Sequence, residues 1–380
     1  MAESQELNRL VRELNESRKV EAVEVAAAGR LDQWLGTLVA RGGSDLLLVA
    51  DAPPCMRVQG EVKKLETMLH GADIEAAVLP ALSRHALHAY REGGIADSSY
   101  RIAGLGRFRI NIHRERGRAA AAIRALPTRV PGLQELHLPA TVANLARLPR
   151  GLVLIGGPAG AGKSTTLSAL IHEMNAHEAR HIVTIEDPIE YEHTHLRSVV
   201  EQVEIGTDAP DFPTALRAAL RQAPDVIVVG EMRDTETMRI AVSAAETGHL
   251  VLSTLHTTDV ASTVARITDS FPVERQNAIR QELAMALAAV LTQILLPSRN
   301  GGRVPAAELL MMSYGARHHI RRNALQHLHQ EIPLTKKKGS FTLEESLVTL
   351  IRNGDIEREE AQVCAIHPDD LEVLLKAAGA

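Results

Sequence analysis

The chain has 380 residues, which is enough for two domains of ordinary size. Hydrophobic residues make up 45% of it and charged residues 23%, so we expect a folded globular protein rather than a disordered one. The net charge is −5 and aromatic residues make up only 2%, which argues against a nucleic-acid-binding protein, because such proteins need basic surfaces and stacking rings. The two cysteines, Cys55 and Cys364, exclude a four-cysteine zinc site and favour a reduced, cytosolic protein.

The N-terminal 30 residues predict a charged helical extension, because leucine and valine recur at three- and four-residue spacing from Leu7 to Leu14. A solvated extension is favoured over a partner helix, and the polar start is unlike a secretory signal. The most apolar run, Leu283 to Leu296, is too short for a membrane span and follows helical spacing. It therefore predicts a packed helix, so that any membrane contact is peripheral.

Residues 31–127 predict a small mixed α/β domain. Strands are expected at 44–49 and 56–58, followed by a helical segment over 74–90 with a break at Pro80. Strict alternation over 107–113 places Arg107 and Arg109 on the face opposite the apolar side chains, and a returning strand at 120–126 carries Arg124. Such a face is usually only solvated, but a triphosphate site elsewhere in the chain makes an anion-binding face a serious alternative.

Residues 128–150 predict a linker with one short helix, and residues 151–300 a nucleotide-binding domain. The domain begins with an apolar strand, a glycine-rich turn and the start of a helix. This is the phosphate-loop pattern G-x-x-x-x-G-K-[ST] in its expected context. The candidate ATP-binding residues are Gly157, Pro158, Ala159, Gly160, Ala161, Gly162, Lys163, Ser164 and Thr165.

The chemistry of a phosphate loop requires these residue types. Glycines let backbone N–H groups approach a polyphosphate, and the N-terminus of the following helix adds a positive dipole end. Lys163 is expected to reach the β- and γ-phosphates, and the Ser164 hydroxyl to ligate Mg²⁺. The sequence therefore predicts a protein that binds a nucleoside triphosphate.

Further strands are predicted at 181–185, 226–229 and 250–254, alternating with helices, which indicates a mostly parallel sheet covered on both faces. Asp211 and Asp234 are expected to cap helices, and Gly248 to follow the end of one. Residues 301–380 predict a mainly helical region in which the lysines at 336–338 form a solvated loop.

Carboxylates follow two of these strands at the edge where ligands bind in a parallel α/β sheet. Glu231 is predicted to polarise an attacking water or to hold Mg²⁺ through water. Glu186 or Asp187 would support the metal and the water from farther away. The alternative is that these acids merely begin loops, as an Asp-Pro pair commonly does.

His249 and His256 flank the strand from Leu250 to Leu255, and their odd spacing makes a shared metal site improbable. His256 lies at the predicted catalytic edge, where it could contact a γ-phosphate, whereas His249 lies at the start of the strand and is the weaker candidate. Arg217 and Arg221 are four residues apart and are expected to share a helix face. They would form salt bridges or line a subunit interface.

Together these residues resemble the secretion-superfamily traffic ATPases, and most closely the PilT-like retraction motors of type IV pili. The resemblance runs from about Ser44 to Glu308. Four ordered segments correspond to the family's Walker A motif, Asp box, atypical Walker B motif and His box: 151–165, 183–190, 215–234 and 244–257. Gly230 stands where most P-loop ATPases have Asp.

The resemblance implies a PAS-like N-terminal α/β domain, a RecA-like P-loop ATPase domain and a helical C-terminal extension, assembled as a homo-hexameric ring that binds ATP and Mg²⁺. It also implies that Arg107, Arg109 and Arg124 reach ATP from the N-terminal domain. The ring would be cytoplasmic and peripheral at the inner membrane, acting on a pilus platform protein and indirectly on pilin to drive twitching motility.

The sequence departs from the family pattern at two places. The Q-R-E triplet reads Gln-Val-Glu at 202–204, and the A-I-R-N-L-I-R-E signature of retraction motors is degraded at 315–322. An accessory paralogue, an assembly or type II secretion ATPase, and a RecA-like nucleic-acid translocase are the alternatives. Assembly and secretion ATPases usually carry a longer N-terminus and a tetra-cysteine segment, which favours the retraction branch.

Overall fold

The structure is a computed structural model that describes residues 29–65 and 67–378. The helical spacing predicted between Leu7 and Leu14 lies outside the described residues. The described chain divides into two units. The first comprises residues 29–128 together with Pro188–Tyr191, and the second comprises residues 129–187 and 192–378. Within the described residues, no helix combines the length and the apolar character that a membrane crossing requires.

The first unit is a six-stranded antiparallel sheet with helices packed against one face. The strands are β1 (Gly43–Val49), β2 (Cys55–Val58), β3 (Glu61–Lys64), β4 (Ile95–Ile102), β5 (Gly106–Glu115) and β6 (Arg118–Ala125), in the spatial order β3-β2-β1-β6-β5-β4. The helices are α1 (residues 29–40), α2 (Gly71–Val78) and α3 (Arg84–Gly93), with a 3₁₀ turn at Leu79–Ala81. The predicted break at Pro80 is therefore confirmed.

The alternation over β5 is confirmed by burial. Phe108, Ile110 and Ile112 are buried in the core of the first unit, and Arg109 on the opposite face is exposed. β6 pairs with β5 along its whole length, and Arg124 lies directly across from Arg109. Because successive side chains of a strand point to opposite faces, β5 and β6 together present a polar face that carries arginines from both strands.

The second unit is built on a seven-stranded sheet. Its strands are β7 (Gly151–Gly156), β8 (His181–Glu186), β9 (Val199–Glu204), β10 (Val226–Val229), β11 (Leu250–Leu255), β12 (Leu287–Pro297) and β13 (Arg303–Met311). The spatial order is β13-β12-β7-β11-β10-β8-β9, and all neighbours are parallel except β12 and β13. Side chains of β7 enter two separate cores, Leu152 on one face and Val153 on the other, so the sheet is covered on both faces as predicted.

Helices cover this sheet, and two of them begin at the caps that the sequence predicted. They are α4 (Lys163–His177), α5 (Phe212–Ala219), α6 (Thr235–Glu246), α7 (Val260–Asp269), α8 (Val273–Ala286), α9 (Tyr314–Arg321), α10 (Leu328–Leu334), α11 (Leu343–Asn353), α12 (Arg358–Cys364) and α13 (Pro368–Ala378). The carboxylates of Asp211 and Asp234 accept backbone N–H groups in the first turns of α5 and α6. Residues 129–150, predicted as a linker, carry two 3₁₀ segments whose buried Val142 and Leu145 join the core beside α4.

The prediction of one continuous helix through Leu283 to Leu296 is wrong. α8 ends at Ala286, and β12 follows directly as a strand between β7 and β13. A strand that is buried on both faces is apolar at nearly every position, so its apolar residues also fit a helical spacing. Periodicity alone does not separate the two structures.

Two expectations for the C-terminal region also need correction. Arg303–Met311 forms a long strand in a region predicted to be mainly helical. Lys336–Lys338 forms a 3₁₀ turn rather than a loop, although its three lysines are exposed as expected, and Lys336 pairs with Glu345. The remaining helices α11, α12 and α13 pack on this part of the sheet through a small core that includes Val304, Leu347 and Leu371.

Candidate nucleotide-binding and hydrolysis site

The phosphate loop connects β7 to α4, as its sequence context predicted. A Cβ atom at Gly157 would lie 2.5 Å from the carbonyl oxygen of Gln293, so only glycine fits there. Gly162 caps α4 with a positive φ of 83°. The buried Gln293 side chain donates through Nε2 to the carbonyl oxygen of Ala161 at 2.6 Å. Gln293 of the neighbouring strand β12 therefore holds the loop in place. This role was not predicted from the sequence, although a glutamine within an apolar segment was a signal that could have been used.

Lys163 begins α4 and is only 7% exposed. Its ammonium donates to the carbonyl oxygens of Gly157 at 2.8 Å and Pro158 at 2.9 Å. It also lies 3.3 Å from Nδ1 of His256. The lysine head is thus held inside the curve of the loop, where the pattern places the phosphates.

Glu231 follows β10 and His256 follows β11, and the two side chains meet because these parallel strands are neighbours. Nε2 of His256 lies 3.4 Å from Oε1 of Glu231. Oε2 of Glu231 lies 2.9 Å from Nη2 of Arg233, and this bond raises the pKa of Arg233 despite partial burial. His256 therefore bridges Lys163 and Glu231, and three predicted site residues form one connected group.

Gly230 follows β10 and lies close to the end of β8. Its N–H donates to the carbonyl oxygen of Ile185 at 2.8 Å, and its own carbonyl oxygen accepts from the Thr254 hydroxyl at 2.6 Å. A Cβ atom here would lie 3.2 Å from the Ile185 oxygen and 3.5 Å from Cα of Glu186. The spacing of the strands thus gives a steric reason for glycine at this position, and Thr254 is a further residue that the sequence did not single out.

Glu186 ends β8 at the same edge of the sheet as Glu231. Its Oε1 accepts from the hydroxyl of Thr184 at 2.7 Å and from Nε2 of Gln202 at 3.1 Å. Asp187 follows it, is exposed, and contributes electrostatically to the raised pKa of Arg233. Both acids lie at the predicted edge, where they can support the group around Glu231.

His249 lies at the other end of β11, away from the phosphate loop. Its Nδ1 lies 3.0 Å from the carbonyl oxygen of Ala244. Together with Arg180 and Asp225 it lines a pocket of about 440 Å³ at the amino ends of the strands. The structure therefore separates His249 from Lys163 and Glu231.

Arg217 and Arg221 do not share a helix face as predicted, because α5 ends at Ala219 and Arg221 lies in the turn beyond it. Arg217 pairs with Glu236 in the first turn of α6. The salt-bridge alternative thus holds for Arg217.

The three arginines of the first unit project from β5 and β6. Nε of Arg124 donates to Oδ1 of Asp45 at 2.9 Å, and Nη2 of Arg109 donates to Oδ1 of Asp97 at 3.4 Å. Burial alone would raise the pKa of Asp45, but hydrogen bonds from Ser44 and Arg124 outweigh it and lower the pKa. Arg107, two residues before Arg109, is half-buried on the same strand face.

Arg109, Arg124 and the two acids surround a depression of about 340 Å³ within the first unit, together with Asn111 and Ala122. Each exposed arginine is therefore held in place by a carboxylate of its own unit. Those acids are a feature that strand alternation did not reveal, because they lie on other strands of the sheet.

Comparison with known proteins gives a consistent result. Residues 123–362 match the family described as type II/IV secretion system protein. The type IV pilus retractation ATPase PilT of Pseudomonas aeruginosa is 39% identical over 331 residues, which cover 87% of this chain and 96% of that protein. The type IV pilus ATPase PilU of the same organism is 36% identical over 347 residues, covering 91% of each chain.

A crystal structure of the pilus retraction motor PilT with bound ADP has a TM-score of 0.81 to this chain at 40% identity. The match covers 89% of this chain and 97% of that one. The expected fold class, an N-terminal α/β domain followed by a RecA-like ATPase domain, is thereby confirmed.

Proposed function

This chain belongs to the type II/IV secretion system protein family, and from that membership we propose that it is a hexameric ATPase motor of type IV pilus retraction. The observation that carries the proposal is the bridge from Lys163 through His256 to Glu231 at the phosphate loop. ATP hydrolysis requires a group that binds the phosphates and a group that activates water, and the two must lie close together. A glycine-rich turn that bound nothing would not need a carboxylate held 3.4 Å from an imidazole that also faces the loop lysine.

The proposed chemistry assigns a part to each residue. Lys163 and the backbone N–H groups of the loop bind the β- and γ-phosphates of ATP. Glu231 accepts the proton of the attacking water, and Arg233 holds this carboxylate in one orientation at 2.9 Å. His256 lies where it can donate to the γ-phosphate. Glu186 supports the water from β8.

The residues present also fit Mg²⁺, which prefers oxygen ligands and a few ordered waters. Ser164 is the second residue of α4, next to Lys163. Glu186 ends β8 and Glu231 follows the adjacent strand β10, so their carboxylates lie at the same edge of the sheet. When bound, Mg²⁺ would supply positive charge that offsets the negative charge developing during phosphoryl transfer. Ser164 would be its protein ligand.

We propose that Arg107, Arg109 and Arg124 complete the site of a neighbouring subunit in the ring. The support is that they share one face of an antiparallel sheet and include two exposed guanidinium groups. Movement between subunits would then act on an inner-membrane platform protein, from a cytoplasmic and peripheral position, to withdraw pilin and drive twitching motility.

Two alternatives share this chemistry. One is an accessory paralogue of the retraction motor, and the match to the type IV pilus ATPase PilU over 91% of both chains is compatible with it. An assembly or secretion ATPase would use the same site on a different client. A nucleic-acid translocase is disfavoured by the net charge of −5 and the low aromatic content.

Deletion of the coding sequence in the native host tests the direction of force. Retraction predicts excess surface pili together with lost twitching, and re-expression of the wild-type chain should restore both, whereas Lys163→Ala should not. Loss of surface pili would overturn retraction in favour of assembly, and unchanged pili with unchanged twitching would overturn a role in pilus dynamics.

A further inference from the structure

A compact group of metal-ligating side chains lies far along the chain from the phosphate loop. One ring nitrogen each of His329 and His367 and one carboxylate oxygen of Asp370 all lie within 4.8 Å of one another. The two imidazole rings are 4.0 Å apart between centroids and tilted by 36°. We infer that these three residues form a binding site for a divalent transition-metal ion of the zinc type.

The fold delivers the ligands from two separate elements. His329 lies in α10, and His367 and Asp370 lie three residues apart at the start of α13. The N–H of Leu371 donates to the carbonyl oxygen of His367 at 3.1 Å, so the first turn of α13 places its two ligands side by side. A metal here would join the C-terminal helix to the body of the second unit.

Two buried carboxylates lie beside the histidines, one bonded to the backbone of His367 and one close to the ring of His329. Glu344 is 1% exposed, and its Oε1 accepts the backbone N–H groups of Ile366 at 3.1 Å and His367 at 2.9 Å. Glu308 is 3% exposed, and its Oε2 lies 3.4 Å from Nδ1 of His329. Metal-binding histidines characteristically present the second ring nitrogen to a carboxylate, which fixes the ring and strengthens the ligand.

The charge balance around the group also favours a cation. Glu308, Glu344 and Asp370 all act electrostatically on His329, and in the described part of the chain no lysine or arginine forms an ion pair with any of the three acids. Carboxylates that are almost fully buried are costly unless a positive charge or a metal compensates them. A divalent ion between the histidines and Asp370 would supply that charge.

The donor set selects the class of ion. Two imidazole nitrogens and one carboxylate oxygen suit Zn²⁺ or Co²⁺, with water as a further ligand, whereas Mg²⁺ and Ca²⁺ prefer oxygen ligands. The site is therefore distinct from the Mg²⁺ expected beside the phosphate loop, both in chemistry and in position.

The family match ends at residue 362, and residues of the site lie on both sides of this boundary. Glu308, His329 and Glu344 precede this boundary, whereas His367 and Asp370 follow it. The ion would thus fasten the part of the chain beyond the shared domain onto that domain. We expect it to be structural, since His329 and His367 are half-buried and none of the ligands belongs to the phosphate-loop group.

Titration of the full chain tests this inference. The chain is prepared without a polyhistidine tag, stripped with a chelator and titrated with Zn²⁺ by calorimetry and with Co²⁺ by visible absorption. We expect about one ion per chain with ligand-field bands of a nitrogen–oxygen site, unaffected by excess Mg²⁺. His329→Gln and Asp370→Ala should each weaken binding about 100-fold or more.

The controls separate binding at this group from binding elsewhere. Asp370 is exposed, so Asp370→Ala should fold normally, and His88→Ala removes an exposed histidine of α3 without touching the group. Zn²⁺ should raise the thermal unfolding midpoint of the wild type and of His88→Ala but not of the two ligand variants. The inference is overturned if the wild type binds neither ion, or if the ligand variants bind Zn²⁺ as tightly as His88→Ala does.

Discussion

Nε2 of His256 lies 3.4 Å from Oε1 of Glu231, although the two residues are 25 positions apart in the sequence. They meet because β10 and β11 are adjacent parallel strands whose carboxyl ends lie at the same edge of the sheet. Nδ1 of the same imidazole lies 3.3 Å from the ammonium of Lys163. One ring therefore relates the residue that is expected to bind phosphate to the residue that is expected to activate water.

Replacement of Glu231 by Gln should slow hydrolysis while nucleotide binding is kept. Gln preserves the size of the side chain but cannot accept the proton of water, so turnover should fall about 10²–10⁴-fold. Phosphate release and equilibrium binding of a fluorescent ATP analogue measure the two effects. Glu236→Gln, an exposed acid in the first turn of α6, is the matched control. Equal turnover in both variants would remove Glu231 from the proposed role.

Replacement of Lys163 by Ala should abolish tight triphosphate binding. The ammonium that would contact the phosphates also bonds the carbonyl oxygens of Gly157 and Pro158, so its loss removes a ligand contact and an internal tie of the loop. Lys336→Ala, which removes a lysine that pairs with Glu345, should bind ATP normally. Wild-type affinity in Lys163→Ala would contradict the assignment of the phosphate loop.

The arginines are expected to act on the site of a neighbouring subunit. Subunits carrying Arg124→Ala or Arg107→Ala have an intact Glu231, and Glu231→Gln subunits have intact arginines. Mixed rings should therefore regain some ATPase activity, which neither variant shows alone. Arg116→Ala, at the exposed turn between β5 and β6, should retain activity by itself. Mixed rings that assemble but stay inactive would count against a role in trans.

His193 should make the second unit sensitive to acid. Burial lowers the pKa of His193 from 6.5 to about 4, with a smaller contribution from His172. Because the folded pKa is depressed, the neutral ring stabilises the fold above pH 6.5, and this stability is lost as the pH falls towards 4.

The loss should amount to roughly 1–3 kcal/mol of unfolding free energy between pH 7 and pH 4, from the size of the pKa difference and allowing for partial exposure. Urea unfolding of the wild type and of His193→Gln over this range measures it. The variant has no ring to protonate, so its dependence on pH should be shallower. Identical pH profiles for the two proteins would show that the depressed pKa does not govern acid stability.

Replacement of Gly230 by Ala should disturb both stability and turnover. The added Cβ would lie 3.2 Å from the carbonyl oxygen of Ile185, so β8 and β10 must separate slightly and Glu231 would shift with them. We expect a loss of about 1–3 kcal/mol of stability. Gly93→Ala, in α3 with open space around the new methyl group, should be neutral or stabilising. Thermal unfolding measures the stability of the two variants and phosphate release measures their turnover. Equal values for Gly230→Ala and Gly93→Ala would contradict the prediction.

The parts of the site that local patterns encode could be predicted from the sequence. The phosphate loop, the strand before Glu231 and the helix caps at Asp211 and Asp234 depend on neighbours within a few residues. Their residue types are dictated by backbone geometry and by the hydrogen bonds of helix ends. The structure confirms the strand, turn and helix around the loop, the strand before Glu231 and both caps, whereas what the loop binds stays a prediction.

Contacts between distant elements could not be predicted in this way. Gln293 supports the phosphate loop only because β12 is a strand beside β7, and its apolar surroundings had predicted a helix. The acids Asp45 and Asp97 meet the arginines only because β1 and β4 flank β6 and β5. Sheet order decides such neighbours, and no short pattern in the sequence records it.

The pairing of Arg124 with Asp45 bears on how a motor of this kind would cycle. The hydrogen bond to Asp45 uses Nε of Arg124 at 2.9 Å, and a guanidinium has five N–H donors in all. Arg124 could therefore contact a phosphate through its terminal nitrogens while Asp45 keeps its bond to Nε. Asp45 would then orient the arginine before nucleotide arrives, so that less side-chain entropy is lost when the contact forms.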